Sequence, residues 1–337
     1  MRKTFIIGAT FLILCFSFGY FTFFVANGVK NGYPLIVSAN ATCHDVIDSI
    51  TKYHLVKNIT TFKIAVYCLN YKTDIRNGKY HFYATENNFE LVKKLRKGQH
   101  YPVKFTFNNI RTQKQFLDKV SGKFLFDISD LHELLTDELF LREKGFTKEN
   151  IISVFIPNSY EFYYNISAED FFNKMFSYYN EFWNKQRLGL AKELGLLPVE
   201  VVTLASIVEE ENYKEFEKPI IAGLYINRLK RGMKLQADPT VKFAIGDFSL
   251  KRIYNKDTTI DSPYNTYKYY GLPPGPIRIP AISTVDSVLH YTRHNYIFMC
   301  AKEDFSGEHN FAETEKEHQK NAAKYHRAMD ELYKSNR

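Results

Sequence analysis

Between Lys3 and Lys30 the chain carries no charge, and Phe5–Ala26 is a nearly unbroken apolar run, FIIGATFLILCFSFGYFTFFVA. As a helix rising about 1.5 Å per residue, such a run matches a hydrocarbon core about 30 Å thick. A secretory signal has a shorter apolar region, about 7–15 residues, followed by a small-x-small cleavage site. The residues around Val25–Asn27 make a poor one. A globular helix apolar on every side would have to be buried on every side. The expectation is an uncleaved signal anchor over residues 5–26, after a short tail of residues 1–4. Arg2 and Lys3 precede the span, so the positive-inside rule keeps that tail in the cytoplasm and puts everything after the span outside. Later apolar runs are short and broken by charge, so a single-pass protein is expected.

The remaining composition is that of a packed globular protein. Hydrophobic residues make up 45% and charged residues 24% of 337 positions, which excludes a mainly disordered chain. Lys and Arg outnumber Asp and Glu by 45 to 37. The excess is spread along the sequence, so it gives no sign of nucleic acid; it suits an anionic envelope polymer or lipid headgroups. Of four cysteines, Cys15 lies in the span and Cys43, Cys68 and Cys300 lie beyond it without CxxC spacing. Cys43 and Cys68 could form one disulfide. The histidines are scattered and none forms HExxH, so neither a metal nor a cofactor is expected.

Along the exported part the pattern reads as an α+β protein. Residues 35–107 form a small α+β unit. Thr42–Tyr53 has Cys43, Val46, Ile47 and Ile50 on one helical face, and Asn88–Leu95 has Phe89, Val92 and Leu95, with Asn88 as its cap. Asn77–Phe82 reads as a turn and short strand, and Val103–Phe107 alternates as a strand does. Residues 108–195 are a mostly helical connecting region that includes an aromatic loop at Ile156–Tyr164. Residues 196–333 begin with two strong helices and then become rich in Pro, Gly, Tyr and Asn.

The first of those helices, LPVEVVTLASIVEEENY, has Pro198 near its start, where a missing N–H costs little. It ends in Glu209, Glu210 and Glu211. At helical spacing Glu209 continues Val202, Ala205 and Ser206, while Glu211 continues Leu204, Ile207 and Val208. A carboxyl held against an apolar face is desolvated and its pKa rises. A glycosidic acid needs this, because about 4.3 must move towards 6 for proton donation near neutrality. Periodicity leaves Glu209 and Glu211 both open, and a solvated acidic helix end is the plainer alternative. The second helix, Glu217–Met233, carries Asn227 and Arg228. MKLQADPTV follows, with a turn expected at Asp238–Pro239, then SPYNTY (Ser262–Tyr267) and the stiff loop GLPPGPI (Gly271–Ile277).

Together LASIVEEE, INRL, LQADPTV, YNTY and GLPPGPI, in that order, resemble the YceG-like family of endolytic murein transglycosylases. HNF at His309–Phe311 resembles a later family element. NGKYHF followed by FELVKKLRKG resembles the family's LysM-like unit, and IPNSYEF its Pro-rich aromatic segment. Asn108–Asn109 stands where the family usually has an acid–Gly pair, and PNSY at Pro157–Tyr160 departs from the usual Pro-Asp-Thr-Tyr. The resemblance implies cleavage of the β-1,4 bond between MurNAc and GlcNAc within nascent peptidoglycan strands, leaving 1,6-anhydro-MurNAc ends. One carboxyl then serves as acid and base, because the nucleophile is the sugar's own C6 hydroxyl and intramolecular attack has a high effective molarity. Alignment to the family's ASIVE assigns that role to Glu209, with Glu211 tuning it or touching substrate. Asn227, Arg228, Gln236, Asp238, Tyr264, Asn265, Thr266, Tyr267 and Tyr160 are the candidate substrate contacts. The resemblance further implies work beside peptidoglycan polymerases at the membrane. A water-using muramidase and a non-catalytic glycan-binding scaffold are the rival readings.

Overall fold

The computed structural model describes residues 2–29, 33–250 and 252–335; Met1 of the expected tail lies outside them. The chain divides into two units. The first comprises residues 1–105, 120–127 and 160–168, and the second residues 106–119, 128–159 and 169–337.

The first unit begins with α1 (Arg2–Phe24). Phe5–Phe24 is long and apolar enough to cross a membrane, with mean hydropathy 2.0. The helix stops two residues short of the expected Ala26, because Ala26 turns to bridge with Asn87. Strands β1 (Leu35–Val37) and β2 (Gly78–Tyr80) pair antiparallel, Leu35 opposite Tyr80. Helices α2 (Cys43–Lys52), α3 (Ile59–Cys68) and α4 (Asn88–Lys97) cover them. The α2 start is a capping box, Thr42 with Asp45, an arrangement that satisfies two otherwise orphaned N–H groups. The α4 cap is Asn87. The expected cap, Asn88, is fully buried instead. Its Nδ2 donates to the Thr22 carbonyl at 2.7 Å, and its Oδ1 accepts from Asn27 Nδ2 at 2.6 Å. A buried amide must find such partners, and these pin the end of α1 to α4. Leu35, Ile50, Phe62, Tyr71, Tyr80, Leu91 and Leu95 fill the core. All four cysteines are free, so Cys43 and Cys68 do not pair.

Strands β3 (Pro102–Thr106) and β4 (Ser159–Tyr163) also pair. The aromatic stretch expected as a loop is therefore largely a strand. The reason is its period of two: Tyr160 and Phe162 are buried while Ser159, Glu161 and Tyr163 are exposed.

The second unit is mainly helical: α5 (Gln113–Val120), α6 (Ile128–Leu134), α7 (Glu138–Glu143), α8 (Ala168–Phe182), α9 (Lys185–Leu194), α10 (Pro198–Glu211), α11 (Lys218–Lys230), α12 (Asp238–Ile245), α13 (Ile282–Leu289) and α14 (Glu315–Ser335). A hairpin, β5 (Phe298–Ala301) with β6 (His309–Ala312), packs on α14. Helix α10 is its axis, with every residue from Val201 to Val208 buried. Helices α11 and α13 pack against it and each other. The expected turn at Asp238–Pro239 is instead the first turn of α12, where proline is pre-organised for helix.

Two close approaches shape this unit. A Cβ on Gly223 of α11 would stand 2.4 Å from the Thr292 carbonyl oxygen, so α11 can seat itself directly on the segment after α13. A Cβ on Gly275 would stand 2.0 Å from the Glu149 carbonyl oxygen. The GLPPGPI loop thus lies backbone against backbone, and its Ile277 N–H donates to Ser206 Oγ of α10 at 3.0 Å.

Candidate active site

The three glutamates that close α10 have three different fates. Glu209 turns to the segment after the stiff loop. Its Oε2 accepts from the Ala281 N–H at 2.6 Å and from Thr284 Oγ1 at 2.7 Å, and its Oε1 faces Arg278 at 3.2 Å. Glu210 is gripped by two arginines: Arg111 Nη2 lies 2.9 and 3.0 Å from its two oxygens, and Arg278 Nη1 lies 2.6 Å from one. Both side chains are mostly buried. Glu210 is thus not the solvated residue that a run of three glutamates suggests.

Glu211 alone has no cationic partner among the described residues. Tyr225 O–H of α11 donates to its Oε1. Burial, with Asp238 and Glu210 nearby, pushes its carboxyl up to about 7, against the pull of the tyrosine donor. Its place as last residue of α10 acts in the same direction, since a helix C-terminus disfavours negative charge. A carboxyl with this pKa is about half protonated at neutrality, the state a general acid requires. Helical periodicity leaves Glu209 and Glu211 both open as the desolvated carboxyl, and in the structure burial raises the pKa of Glu211. At Glu209 the apolar face is answered by an arginine, an amide and a hydroxyl; at Glu211 it is answered by a phenol.

Glu211 and Asp238 line two cavities at once. The larger, about 390 Å³, is completed by Tyr225, Arg228, Gln236, Tyr267, the residues of β5, His309, Glu315 and His318. The smaller, about 150 Å³, adds Glu210, Pro239, Lys242, Arg252 and Ile253. Glu211 therefore borders two recesses rather than one.

The walls are fixed by polar pairs. Tyr267 O–H donates to Asp238 Oδ1 at 2.6 Å, and burial raises that phenol's pKa. Arg228 Nη2 donates to Gln236 Oε1 at 2.6 Å and its guanidinium lies 5.8 Å from the Phe298 ring centre. Burial lowers the Arg228 pKa, and its buried Nε has no partner among the described residues. Gln236 adopts a left-handed backbone, φ 51°, held by its N–H to the Thr266 carbonyl at 3.1 Å. Glu217 is 3% exposed. It accepts from the His309 N–H at 2.8 Å, faces His309 Nδ1 at 2.9 Å and accepts from Asn212. The imidazole is thereby oriented at the cavity wall.

Of the residues singled out from sequence, Glu211, Arg228, Gln236, Asp238 and Tyr267 are brought together. Others have structural work. Asn265 is fully buried; its amide donates to the Thr258 and Ile260 carbonyls and its Oδ1 accepts from the Tyr267 N–H. Thr266 is 2% exposed, and its Oγ1 accepts from the Ala237 N–H at 3.0 Å. These two shape the loop that carries Tyr267. Asn227 ties α11 to the His294 and Tyr296 carbonyls and lines a separate recess with His290 and Arg293. Tyr264 packs on Phe243, ring centres 4.7 Å apart, and burial raises its phenol to about 12. Tyr160 belongs to the first unit and is 6% exposed, a core position. Sequence reasoning did not single out Tyr225, Arg111, Arg278 or Glu217. Tyr225 had a signal: it stands on the same α11 face as Arg228, three residues before it.

Comparison with known proteins adds to this geometry. The sequence profile of the YceG-like family matches residues 35–324. A protein of Bacillus subtilis (strain 168) named endolytic murein transglycosylase is 28% identical over 314 residues, covering 88% of this chain and 85% of the relative. A protein of the same name from Streptococcus pneumoniae serotype 2 (strain D39) is 25% identical and aligns with 96% of this chain. The chain spans 65% of that relative's length. The crystal structure of a yceG-like protein from Listeria monocytogenes superposes with a TM-score of 0.54 at 25% identity, covering 86% of this chain and 98% of that one.

Proposed function

Because the chain belongs to the YceG-like family, we propose that it is an endolytic murein transglycosylase whose acid and base are one residue, Glu211. The observation that carries the assignment is a raised-pKa carboxyl, without an ion-pair partner among the described residues, lining two recesses. A polymer cut in its interior must have sugars on both sides of the acid, and that arrangement provides room for them.

In the reaction, protonated Glu211 gives its proton to the glycosidic oxygen as the C1–O bond of MurNAc breaks. The resulting carboxylate takes the proton of the MurNAc C6 hydroxyl as O6 bonds to C1. No water is consumed, and the acid is regenerated. Tyr225 occupies Oε1, which leaves Oε2 to carry the proton. Oxocarbenium character at C1 is stabilised by the negative charge of the same carboxylate and of Asp238 nearby. The ordinary glycosidase pair of carboxylates is unnecessary, since the nucleophile is part of the substrate. Arg228, Gln236, Asp238 and Tyr267 are the polar groups that would meet sugar hydroxyls or the stem peptide. In this proposal Glu209, the residue that alignment to the family's ASIVE makes the acid and base, holds the segment behind GLPPGPI against α10.

The rest of the assignment follows the family reading. Residues 35–107 act as a LysM-like glycan-holding subdomain, residues 108–195 as a connecting region and residues 196–333 as the catalytic domain. α1 is a single-pass anchor with its N-terminus in the cytoplasm, so cleavage takes place outside, on strands leaving peptidoglycan polymerases, and terminates their growth. The test is digestion of polymeric glycan followed by mass spectrometry. Internal cleavage with ends one water lighter than reducing MurNAc supports the proposal. Reducing ends alone would make the protein a muramidase, and no cleavage would make it a scaffold.

A further inference from the structure

The first unit holds a concavity that glycan cleavage does not use. A cavity of about 330 Å³ is lined by Leu69, Asp74, Phe89, Lys93, Arg96 and Lys97. Positions 89, 93, 96 and 97 fall on one face of α4, and three of them are cations. Lys93 and Lys97 make no ion pair among the described residues. The one carboxylate in the lining, Asp74, is already held by Arg76 at 2.9 Å. Arg96 Nη1 donates to the Leu69 carbonyl at 2.9 Å, while its Nε is buried and has no partner among the described residues. The other α4 lysine, Lys94, is spent on Glu86 and the His81 carbonyl.

The place of this cavity in the fold narrows what it takes. Phe89 stands 6.1 Å, ring centre to ring centre, from Phe24, the last residue of α1. The Lys93 ammonium lies 5.6 Å over the Phe89 ring. The junction is held in place by the Asn88 bond to the Thr22 carbonyl and by Asn27. Where α1 leaves the hydrocarbon, α4 therefore presents an aromatic ring and then cations along one face. Rings at that depth and lysines just above it meet the glycerol and phosphate layers of a bilayer.

We propose that this cavity binds the headgroup of an anionic phospholipid, its phosphate held by Lys93, Arg96 and Lys97 and its glycerol end laid on Phe89 and Leu69. The inference rests on α1 being a membrane anchor. Its test uses the full chain in nanodiscs with spin-labelled phosphatidylglycerol or phosphatidylcholine, reading the motionally restricted fraction of each. Since each cation at an anionic surface is worth about fivefold, the wild type should prefer phosphatidylglycerol by roughly fivefold or more. Lys93→Gln/Lys97→Gln should reduce that preference to about one, while Lys52→Gln/Lys123→Gln, an equal loss of charge elsewhere in the same unit, should leave it unchanged. Both pairs are exposed, so folding should survive, which circular dichroism checks. An equal loss in both pairs overturns the site in favour of diffuse charge. Loss of the preference on adding inorganic phosphate at fixed ionic strength overturns it in favour of a soluble anion. Restricted lipid without preference overturns the site alone, and no restricted lipid overturns the anchor with it.

Discussion

Glu211→Gln should abolish cleavage and at the same time stabilise the fold above neutral pH. A carboxyl that keeps its proton to about pH 7, against an ordinary 4.5, is held in a place that disfavours its charge. Below about pH 4.5 it is protonated folded and unfolded, and no penalty exists. As pH rises towards 7 the unfolded chain ionises while the folded one does not, so stability falls; above 7 the penalty is complete. The span is about 2.5 decades at 1.36 kcal/mol each, an upper bound of about 3 kcal/mol. Because Glu211 is only partly buried, 1–3 kcal/mol is the expected gain from the neutral amide at pH 8. Removing a single group that acts as acid and base should cost about 10⁴-fold, the upper end for such catalysis. Glu209→Gln should do the reverse. It leaves Arg278 short of one charge in a mostly buried site, so it should lower stability, and it should keep far more activity than Glu211→Gln. The assays are release of anhydro-ended fragments from polymeric glycan and thermal melting of the detergent-solubilised chain at pH 5 and pH 8. If Glu209→Gln is the dead variant and Glu211→Gln retains more than about a tenth of wild-type activity, the assignment fails.

Other outcomes follow from the same geometry. Tyr225→Phe removes the donor that lowers the Glu211 pKa, so the alkaline limb of kcat/KM against pH should move upward; a limb that stays or moves down contradicts the pairing. Gly275→Ala must displace the Glu149 backbone, and a melting loss of less than about 1 kcal/mol would show that the loop is not seated as described. Arg278→Ala frees both Glu209 and Glu210 from a shared partner and should cost about 3 kcal/mol or more, against little for the exposed Lys268→Ala. A reporter fused after Arg337 should work only if it functions outside the cytoplasm.

The helices and the anchor were legible because they are written locally. The uncharged run at the N-terminus, the face of Cys43, Val46, Ile47 and Ile50, and Pro198 opening an apolar stretch each need only neighbours within a few turns. Misreadings arose where local signals were degenerate. Asn87 and Asn88 are equally good caps by type, and only the buried bond to Thr22 separates them. The 156–164 stretch reads as a loop because it opens with Ile-Pro-Asn, yet the alternation from Ser159 onward already carries β4. The site shows the same division. That one of three adjacent glutamates is desolvated was readable from the apolar faces of α10. Which one was not, because periodicity orients a side chain without saying what it meets. Arg278 lies 69 positions beyond Glu209 in sequence, and Tyr225 lies 14 beyond Glu211. Long-range packing alone brings a cation to the first and a phenol to the second.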